Sequence, residues 1–284
     1  MTPFEISAAV VVGLASASLV TVLADHVPAG VPMASWGSCP DCARRRSWWV
    51  RVPFVGWMSR FGARCVCGRS SDALGRFAEV LMLGVLLAIV ARYGLAWRAL
   101  PPIVAAVTLV ALSVIDLRVY RLPNRLVFPA IAVSGLSMVV VAVMIDLVVA
   151  LPRAVVGAFL FFALLFVSHL ISPRGMGFGD VKFALLLGLH LGWTAGSTYR
   201  GWAAVMQLVF FALLLACVIG IVLGLLIGVL RRKGRDIAPD PEAVDGGEQA
   251  GDSERLLGHS FPFGPALAAA SMLLVLHPDL VVPT

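Results

Sequence analysis

Two aspartates of this sequence lie where apolar segments meet polar residues. Asp116 follows the apolar stretch 104–115, and Asp180 precedes the apolar run that begins at Val181. A carboxylate at a membrane boundary costs free energy unless it is paired or hydrated, so each aspartate is a candidate functional group. Two carboxylates close together share one proton and can act as base and acid on a bridging water. Such a pair would hydrolyse a peptide bond without a covalent intermediate.

Each aspartate taken alone also has a simpler interpretation as an interfacial charge. Asp116 would then pair with Arg118, and Asp180 with Lys182, since each basic residue follows its aspartate two positions later. Pairing of this kind is a common way to accommodate a charge near lipid. For either aspartate by itself, ion pairing is a sufficient explanation.

The residues around the two aspartates favour a functional role. Pro123 and Asn124 interrupt the chain after the first aspartate, and Gly175, Gly177 and Gly179 precede the second. Glycine lets the backbone bend tightly and approach another segment closely. Irregular backbone at membrane depth is tolerated only where protein or a water-filled cavity covers it. Taken together, the two motifs predict a catalytic pair.

Apolar helices are the elements that must position this pair. Hydrophobic residues make up 60% of the 284 residues and charged residues 13%, against about 45–50% apolar usage in soluble domains. A transmembrane helix needs about 20 apolar residues. Eight segments approach that length: 5–24, 78–97, 100–117, 126–147, 151–172, 181–197, 203–230 and 262–282. The sequence predicts an all-α, polytopic integral membrane protein with about eight transmembrane helices.

The positions of the basic residues predict the orientation in the bilayer. With the N-terminus outside, 18 of the 22 lysines and arginines fall on the inside, and the other 4 fall outside: Arg92, Arg98, Arg153 and Arg200. This asymmetry follows the positive-inside rule. It also removes the main argument for a nucleic-acid partner, which the net charge of +6 would otherwise suggest. Residues 1–5 carry no positive charge, so the first helix is expected to be retained rather than cleaved as a signal peptide.

The number of crossings between the aspartates decides whether they can meet. Two segments, 126–147 and 151–172, separate Asp116 from Asp180. An even number of crossings returns the chain to the same face, here the cytoplasmic one. A proton- or cation-coupled transporter is the alternative function, because intramembrane carboxylates and glycine-broken helices also suit transport. Transport sites lie near the midplane, however, and the sequence shows no internal repeat.

Three regions are expected along the chain. Residues 1–24 form the first transmembrane helix, residues 25–77 a cytoplasmic module containing cysteines, and residues 78–284 the helical core, interrupted by a cytoplasmic loop at 231–260. The loop is basic at its start and then rich in acidic residues and glycine, a composition typical of disorder.

The cysteine module has the spacing of a metal site. Cys39 and Cys42 form one close pair, and Cys65 and Cys67 form a second. Four reduced cytoplasmic cysteines in two close pairs suit a tetrahedral, structural zinc ion. Free thiols are the alternative.

Several motifs resemble those of one enzyme family. The run Gly177-Phe178-Gly179-Asp180 resembles the GxGD motif of membrane aspartyl proteases, and its longer context, 175–192, resembles the prepilin peptidase signature. The segment from Asp116 to Asn124 is similar to that family's first-aspartate motif. Two further stretches are similar to family motifs: Arg76-Phe77-Ala78-Glu79-Val80-Leu81 and Ser260-Phe261-Pro262-Phe263-Gly264-Pro265-Ala266-Leu267-Ala268.

This resemblance implies a function and a set of site residues. It implies an endopeptidase of the bacterial inner membrane that removes the leader of type IV prepilins or pseudopilins, cutting after a leader-end glycine at the cytoplasmic face. Asp116 and Asp180 would be catalytic, no cofactor would be required for proteolysis, and Gly177, Gly179, Lys182, Pro123 and Asn124 would support the motifs. In bifunctional members the cysteine module accompanies N-methylation of the new N-terminus by S-adenosylmethionine. The family's usual second cysteine pair is CxxC, whereas this chain has CxC.

Other polar residues of the apolar segments have simpler expected roles. Asp146 is expected at the outer end of its helix as an interfacial charge. His169 and His190 stand alone on apolar helices, which favours packing or helix-end contacts. Glu79 lies near a helix start, where it would meet Arg76 or face the site.

Overall fold

The computed structural model describes residues 3–26, 42, 73–119, 122–173, 177–199, 201–235 and 263–282. These ranges contain α-helices, two 3-10 turns at Trp97–Ala99 and Pro278–Leu280, and no strand. The prediction of an all-α fold is confirmed. The α-helices are α1 Pro3–His26, α2 Ala73–Tyr93, α3 Leu100–Val119, α4 Asn124–Met144, α5 Ala150–Ile171, α6 Phe178–Thr198, α7 Ala203–Arg235 and α8 Gly264–Leu276.

Six of these eight helices, α1 to α5 and α7, are long and apolar enough to cross a membrane, so the described part of the chain is polytopic. The sequence predicted about eight transmembrane helices, and the two that are not among these six are α6 and α8. Helix α8 has 13 residues, about 20 Å at 1.5 Å per residue, and a hydrocarbon core is about 30 Å thick. Helix α6 has 21 residues, but Lys182, His190 and its glycines and threonines lower its mean hydropathy.

Helix α6 can be less apolar because it lies inside the bundle. Its residues from Val181 to Gly196 are almost all buried, whereas only 28% of the residues in the apolar stretch of each of α5 and α7 are buried. A helix that contacts other helices rather than lipid does not need an apolar surface all round. The least apolar long helix of the described ranges is therefore also the one most enclosed by protein.

Small residues bring α5 and α6 into close contact. A Cβ atom built on Gly157 would lie 2.8 Å from the Cα of Gly192, and one built on Gly196 would lie 2.7 Å from the Cα of Ala150. At Gly188 and Gly192 an added Cβ would likewise collide with backbone atoms of α5. Glycine and alanine allow this approach because they leave no side chain between the two backbones. The contact fixes α6, and with it the position of Asp180, against α5.

Polar contacts tie three helix ends together at one end of the bundle. Arg92, near the end of α2, forms an ion pair with Asp279 at 2.8 Å, and the Tyr93 hydroxyl donates to the carbonyl of Val275 at 2.8 Å. Tyr199, just after α6, donates to Asp279 at 2.9 Å. Burial, the hydrogen bond and the charge of Asp279 raise the pKa of Tyr199 to about 12, so this hydroxyl remains a donor at physiological pH. These contacts direct the opposite end of α8 toward the end of α3.

Candidate active site

Asp116 lies in the last turn of α3, and its side chain is buried. The carboxylate contacts the start of α8, where it interacts with the backbone N–H of Gly264. A Cβ atom on Gly264 would lie 2.6 Å from Asp116 Oδ2, so only glycine lets α8 begin this close to the carboxylate. Oδ2 has no hydrogen-bond partner among the described residues. A buried oxygen without a partner is costly in a folded protein, and it is available to a water or a substrate.

Asp180 lies in the first turn of α6 and is partly exposed. Gly177 precedes the helix with extended backbone, φ −67° and ψ 139°, and its carbonyl accepts a hydrogen bond from the Asp180 N–H at 3.1 Å. A carboxylate in the first turn of a helix is stabilised by the helix dipole. The glycine-rich approach therefore places Asp180 at the N-terminal end of α6.

A close contact next to the two aspartates joins their segments. A Cβ on Gly179 would lie 3.3 Å from the Cβ of Leu122, and Leu122 belongs to the short link between α3 and α4. The absence of a side chain at Gly179 thus lets α6 begin against the chain that follows Asp116. The Asp116 and Asp180 carboxylates are close enough to interact electrostatically. The structure brings together the two aspartates that the sequence singled out.

A second polar contact links the same two segments. Lys182 Nζ donates to Asn124 Oδ1 at 2.9 Å, and the Lys182 ammonium lies 4.8 Å from the centroid of the Phe178 ring. Lys182 therefore contacts the first-aspartate motif through Asn124. Lys182 thus contacts Asn124 and Phe178, and no ion pair between Lys182 and Asp180 is formed among the described residues.

The lesser candidates fall outside this cluster or beside it. Asp146 is exposed just after α4, at the opposite end of that helix from Asn124, and has a positive φ of 54°. His190 is buried and shares a 3.0 Å hydrogen bond with Ser134 Oγ, and the His169 ring lies 5.6 Å from the Phe178 ring. Glu79 is buried on α2. His169 lies near a helix end, as expected, whereas His190, in the middle of α6, shares a buried hydrogen bond that the sequence did not indicate.

The role of Gly264 had no clear signal in the sequence. The stretch Phe263-Gly264-Pro265 can be identified as a family motif, but only the assembled bundle shows that its glycine faces Asp116. The contact joins residues 148 positions apart, and sequence periodicity carries no information about such a pair. A Gly-Pro start that opens an apolar helix is the only local indication.

The predicted zinc site lies outside the described residues, except for Cys42, which is exposed. Cys39, Cys65 and Cys67 cannot be compared with the structure, so the site remains a prediction. Among the described residues no group of histidine, cysteine and acidic side chains could hold a metal ion. The proposed domain boundaries at 24 and 77 also depend on this region and remain predictions.

These features define a class of protein: a polytopic helical membrane protein in which two aspartates from different helices meet at one end of the bundle. Comparison with known families assigns the chain more narrowly. A model described as "Type IV leader peptidase family" matches residues 103–225, which include both aspartates. A second, "Bacterial Peptidase A24 N-terminal domain", matches residues 11–93. Residues 11–93 and 103–225 therefore match this peptidase family, as the motifs predicted.

Curated relatives agree with this assignment. A "Prepilin leader peptidase/N-methyltransferase" from Stutzerimonas stutzeri is 29% identical over 243 residues, covering 85% of this chain and 71% of the relative. A protein of the same name from Pseudomonas putida is 28% identical over 242 residues, covering 85% and 72%. No solved structure matches the chain significantly. The transporter alternative is not favoured by these matches.

Proposed function

We propose that this protein is an aspartyl endopeptidase of the bacterial inner membrane that removes the leader peptide of type IV prepilins or pseudopilins. The observation that carries the proposal is the meeting of Asp116 and Asp180 at one end of the bundle, within residues matched by the leader peptidase family model. Asp116 comes from the end of one helix and Asp180 from the start of another. A single proton shared by two such carboxylates is the chemical requirement for aspartyl hydrolysis.

The mechanism follows from the two carboxylates alone. The ionised carboxylate takes a proton from a water held between them, while the protonated one donates to the oxygen of the scissile carbonyl. The water oxygen bonds to the carbonyl carbon and gives a tetrahedral diol. The carboxyl that took the water's proton passes it to the leaving amine as the C–N bond breaks, and one hydroxyl of the diol returns its proton to the other carboxylate, so the pair regains its starting state. The unpaired Oδ2 of Asp116 offers a hydrogen-bonding position for the water, and Asp180 is the more exposed of the two carboxylates.

The location of the pair suits a substrate with one end in water and the other in lipid. A prepilin has a basic leader in the cytoplasm and an apolar helix in the membrane, so its cleavage junction lies at the boundary between the two phases. Asp180 begins a helix of the bundle, and Asp116 ends another. We place this end of the bundle at the cytoplasmic face, on the strength of the basic residues that flank it.

The aspartates are tested by replacing each with asparagine, which preserves size but cannot exchange protons. Asp116→Asn and Asp180→Asn should each lower the rate of cleavage of a pilin-like substrate in liposomes by several orders of magnitude. Asp146→Asn is the matched control, because Asp146 is exposed at the opposite end of α4, and it should cleave normally. Cleavage by either active-site variant within about tenfold of the unmodified protein, roughly 1.4 kcal/mol in barrier height, would rule out the aspartyl pair.

A second activity, N-methylation of the new N-terminus, is favoured by the names of the relatives. The methyl donor would be S-adenosylmethionine. The test is mass analysis of the pilin after cleavage, with and without the donor. If the cysteine module supports this step, Cys39→Ser with Cys42→Ser should lower methylation and zinc content while cleavage continues. If the mass of the cleaved pilin were the same with and without S-adenosylmethionine, the second activity would be excluded. That result would leave the proposed leader cleavage standing.

A further inference from the structure

A polar cavity lies at the end of the bundle away from the aspartates. It has a volume of about 380 Å³ and is bordered by Arg92, Arg98, His190, Trp193, Thr194 and Thr198, among others. Thr194 is 14 positions after Asp180 on α6, which places the cavity about 21 Å from that aspartate along the helix. Pocket volumes of about 300–1,000 Å³ are typical of small-molecule sites. The cavity therefore cannot be part of the candidate active site.

The lining comes from the same end of several helices. Arg92 and Tyr93 end α2, Pro102 begins α3, Leu147 links α4 to α5, and Val275 lies near the end of α8. The walls are thus fixed by the contacts between helix ends described above. The cavity is a feature of the assembled bundle, and no single segment of the sequence contains it.

The free hydrogen-bonding groups of the cavity are mainly arginine donors. The Thr194 hydroxyl donates to the carbonyl of His190 and the Ser197 hydroxyl to that of Thr194, while His190 contacts Ser134. Arg92 is paired with Asp279 through one nitrogen. Arg98 forms no hydrogen bond or ion pair with any described residue. The cavity therefore has an excess of positive charge and of N–H donors, which suits an anion.

The surroundings of Arg98 indicate where the anion comes from. Arg98 lies in the 3-10 turn between α2 and α3, next to Trp97, whose side chain is 55% exposed. At the same end Trp202 is 52% exposed, and the guanidinium carbon of Arg153 lies 5.0 Å from the centroid of its ring. Exposed tryptophans beside arginines mark the level of lipid headgroups. An arginine at this level faces the phosphates of the bilayer.

We propose that this cavity binds the phosphate of an anionic phospholipid headgroup, with Arg98 as its principal ligand and Arg92 as a second donor. The site would hold lipid of the leaflet opposite the aspartates. A soluble organophosphate has the same chemistry, so the experiment must separate the two sources. The proposal does not depend on the proteolytic function, because none of its residues belongs to the aspartate cluster.

The test uses the purified full-length protein, stripped of lipid in detergent, with phosphatidylglycerol as the probe and native mass spectrometry as the readout. Arg98→Gln should weaken lipid retention about tenfold or more, since a charged hydrogen bond is lost. Arg98→Lys keeps the charge and should retain part of the binding. Arg153→Gln removes an arginine at the same end whose guanidinium already contacts the Val149 carbonyl and the Trp202 ring and does not line the cavity, so this variant should bind like the unmodified protein.

Two outcomes would overturn the proposal. Equal retention of phosphatidylglycerol by the unmodified protein, Arg98→Gln and Arg153→Gln would show that the cavity does not bind this lipid. Glycerol phosphate tested alone by thermal shift provides the second arm. If it stabilised the unmodified protein but not Arg98→Gln, while phosphatidylglycerol did not bind, the source would be a soluble anion and not the bilayer. The thermal unfolding profile of each variant verifies that it is folded.

Discussion

Gly264 sets how closely the eighth helix can approach Asp116. Because a Cβ at this position would lie 2.6 Å from the carboxylate oxygen, any side chain must displace either α8 or the aspartate. Gly179 has a similar role beside Leu122, although its nearest distance of 3.3 Å leaves more room for adjustment. At the residue scale, the candidate site therefore depends on two carboxylates and on two glycines, Gly264 and Gly179, that let other segments approach closely.

Gly264→Ala should impair cleavage without removing either aspartate. A displacement of about 1 Å in an active site can cost about a hundredfold in rate, so we expect a loss of ten- to a hundredfold in kcat/KM. Gly135→Ala is the control, since an added Cβ there has no atom within 4 Å. Rates are measured with a pilin-like substrate in liposomes. Equal rates for the two variants would show that the close approach of α8 is not required.

The hydrogen bond between Lys182 and Asn124 should couple the two aspartate segments. Lys182→Met and Asn124→Ala should each lower kcat/KM by about tenfold, and the double variant should lose little more than either single variant. This follows because residues that share one interaction have non-additive effects. A double-variant cycle on kcat/KM measures the coupling. Fully additive losses would mean that the two side chains act separately.

The close packing of α5 against α6 holds the second aspartate in place. At Gly192 an added Cβ would lie 2.9 Å from the Cα of Ala154. Neighbouring backbone cannot move aside as a flexible side chain could. At the scale of the element, α6 is therefore a rigid support whose position depends on its glycines.

Gly192→Ala should destabilise the bundle. Inserting atoms into a well-packed interface typically costs about 1–3 kcal/mol, so the midpoint of thermal unfolding in detergent should fall by several degrees. Gly84→Ala on α2 is the matched control, because nothing lies within 4 Å of a Cβ there, and alanine favours a helix over glycine. An unfolding midpoint for Gly192→Ala at or above that of Gly84→Ala would contradict the packing argument.

The hydropathy of the segments and the even number of crossings between the aspartates predicted much of the helical bundle. The features that were not predicted depend on contacts between residues far apart in the sequence. The two crossings between Asp116 and Asp180 are helices α4 and α5, as the sequence indicated, and both aspartates reach the same end. Hydropathy identified 181–197 and 262–282 as apolar segments, but it could not show that protein rather than lipid surrounds most of α6 and α8. The cavity beside Arg98 was not predicted, since its walls come from helices far apart in the sequence.

At the scale of the whole molecule, the sequence predicts how the protein is oriented in the membrane. We expect residues 25–77 and 231–260 to be cytoplasmic and both termini to be outside. On a cysteine-free background, Thr198→Cys should react with an impermeant thiol reagent in intact cells, because Thr198 is exposed at the predicted outer end of α6. Gly247→Cys should react only after the membrane is permeabilised. Labelling of position 247 in intact cells would reverse the topology.

The enclosed position of α6 has a consequence for how the protein enters the bilayer during synthesis. Insertion of a nascent segment depends on its apolarity, and α6 is not among the described helices that are apolar enough to cross a membrane, whereas the preceding α5 has a mean hydropathy of 2.5. The glycine contacts that unite the two helices would let them leave the translocon as a helical hairpin. The segment that carries Asp180 would then depend on its neighbour for delivery to the membrane as well as for its final position.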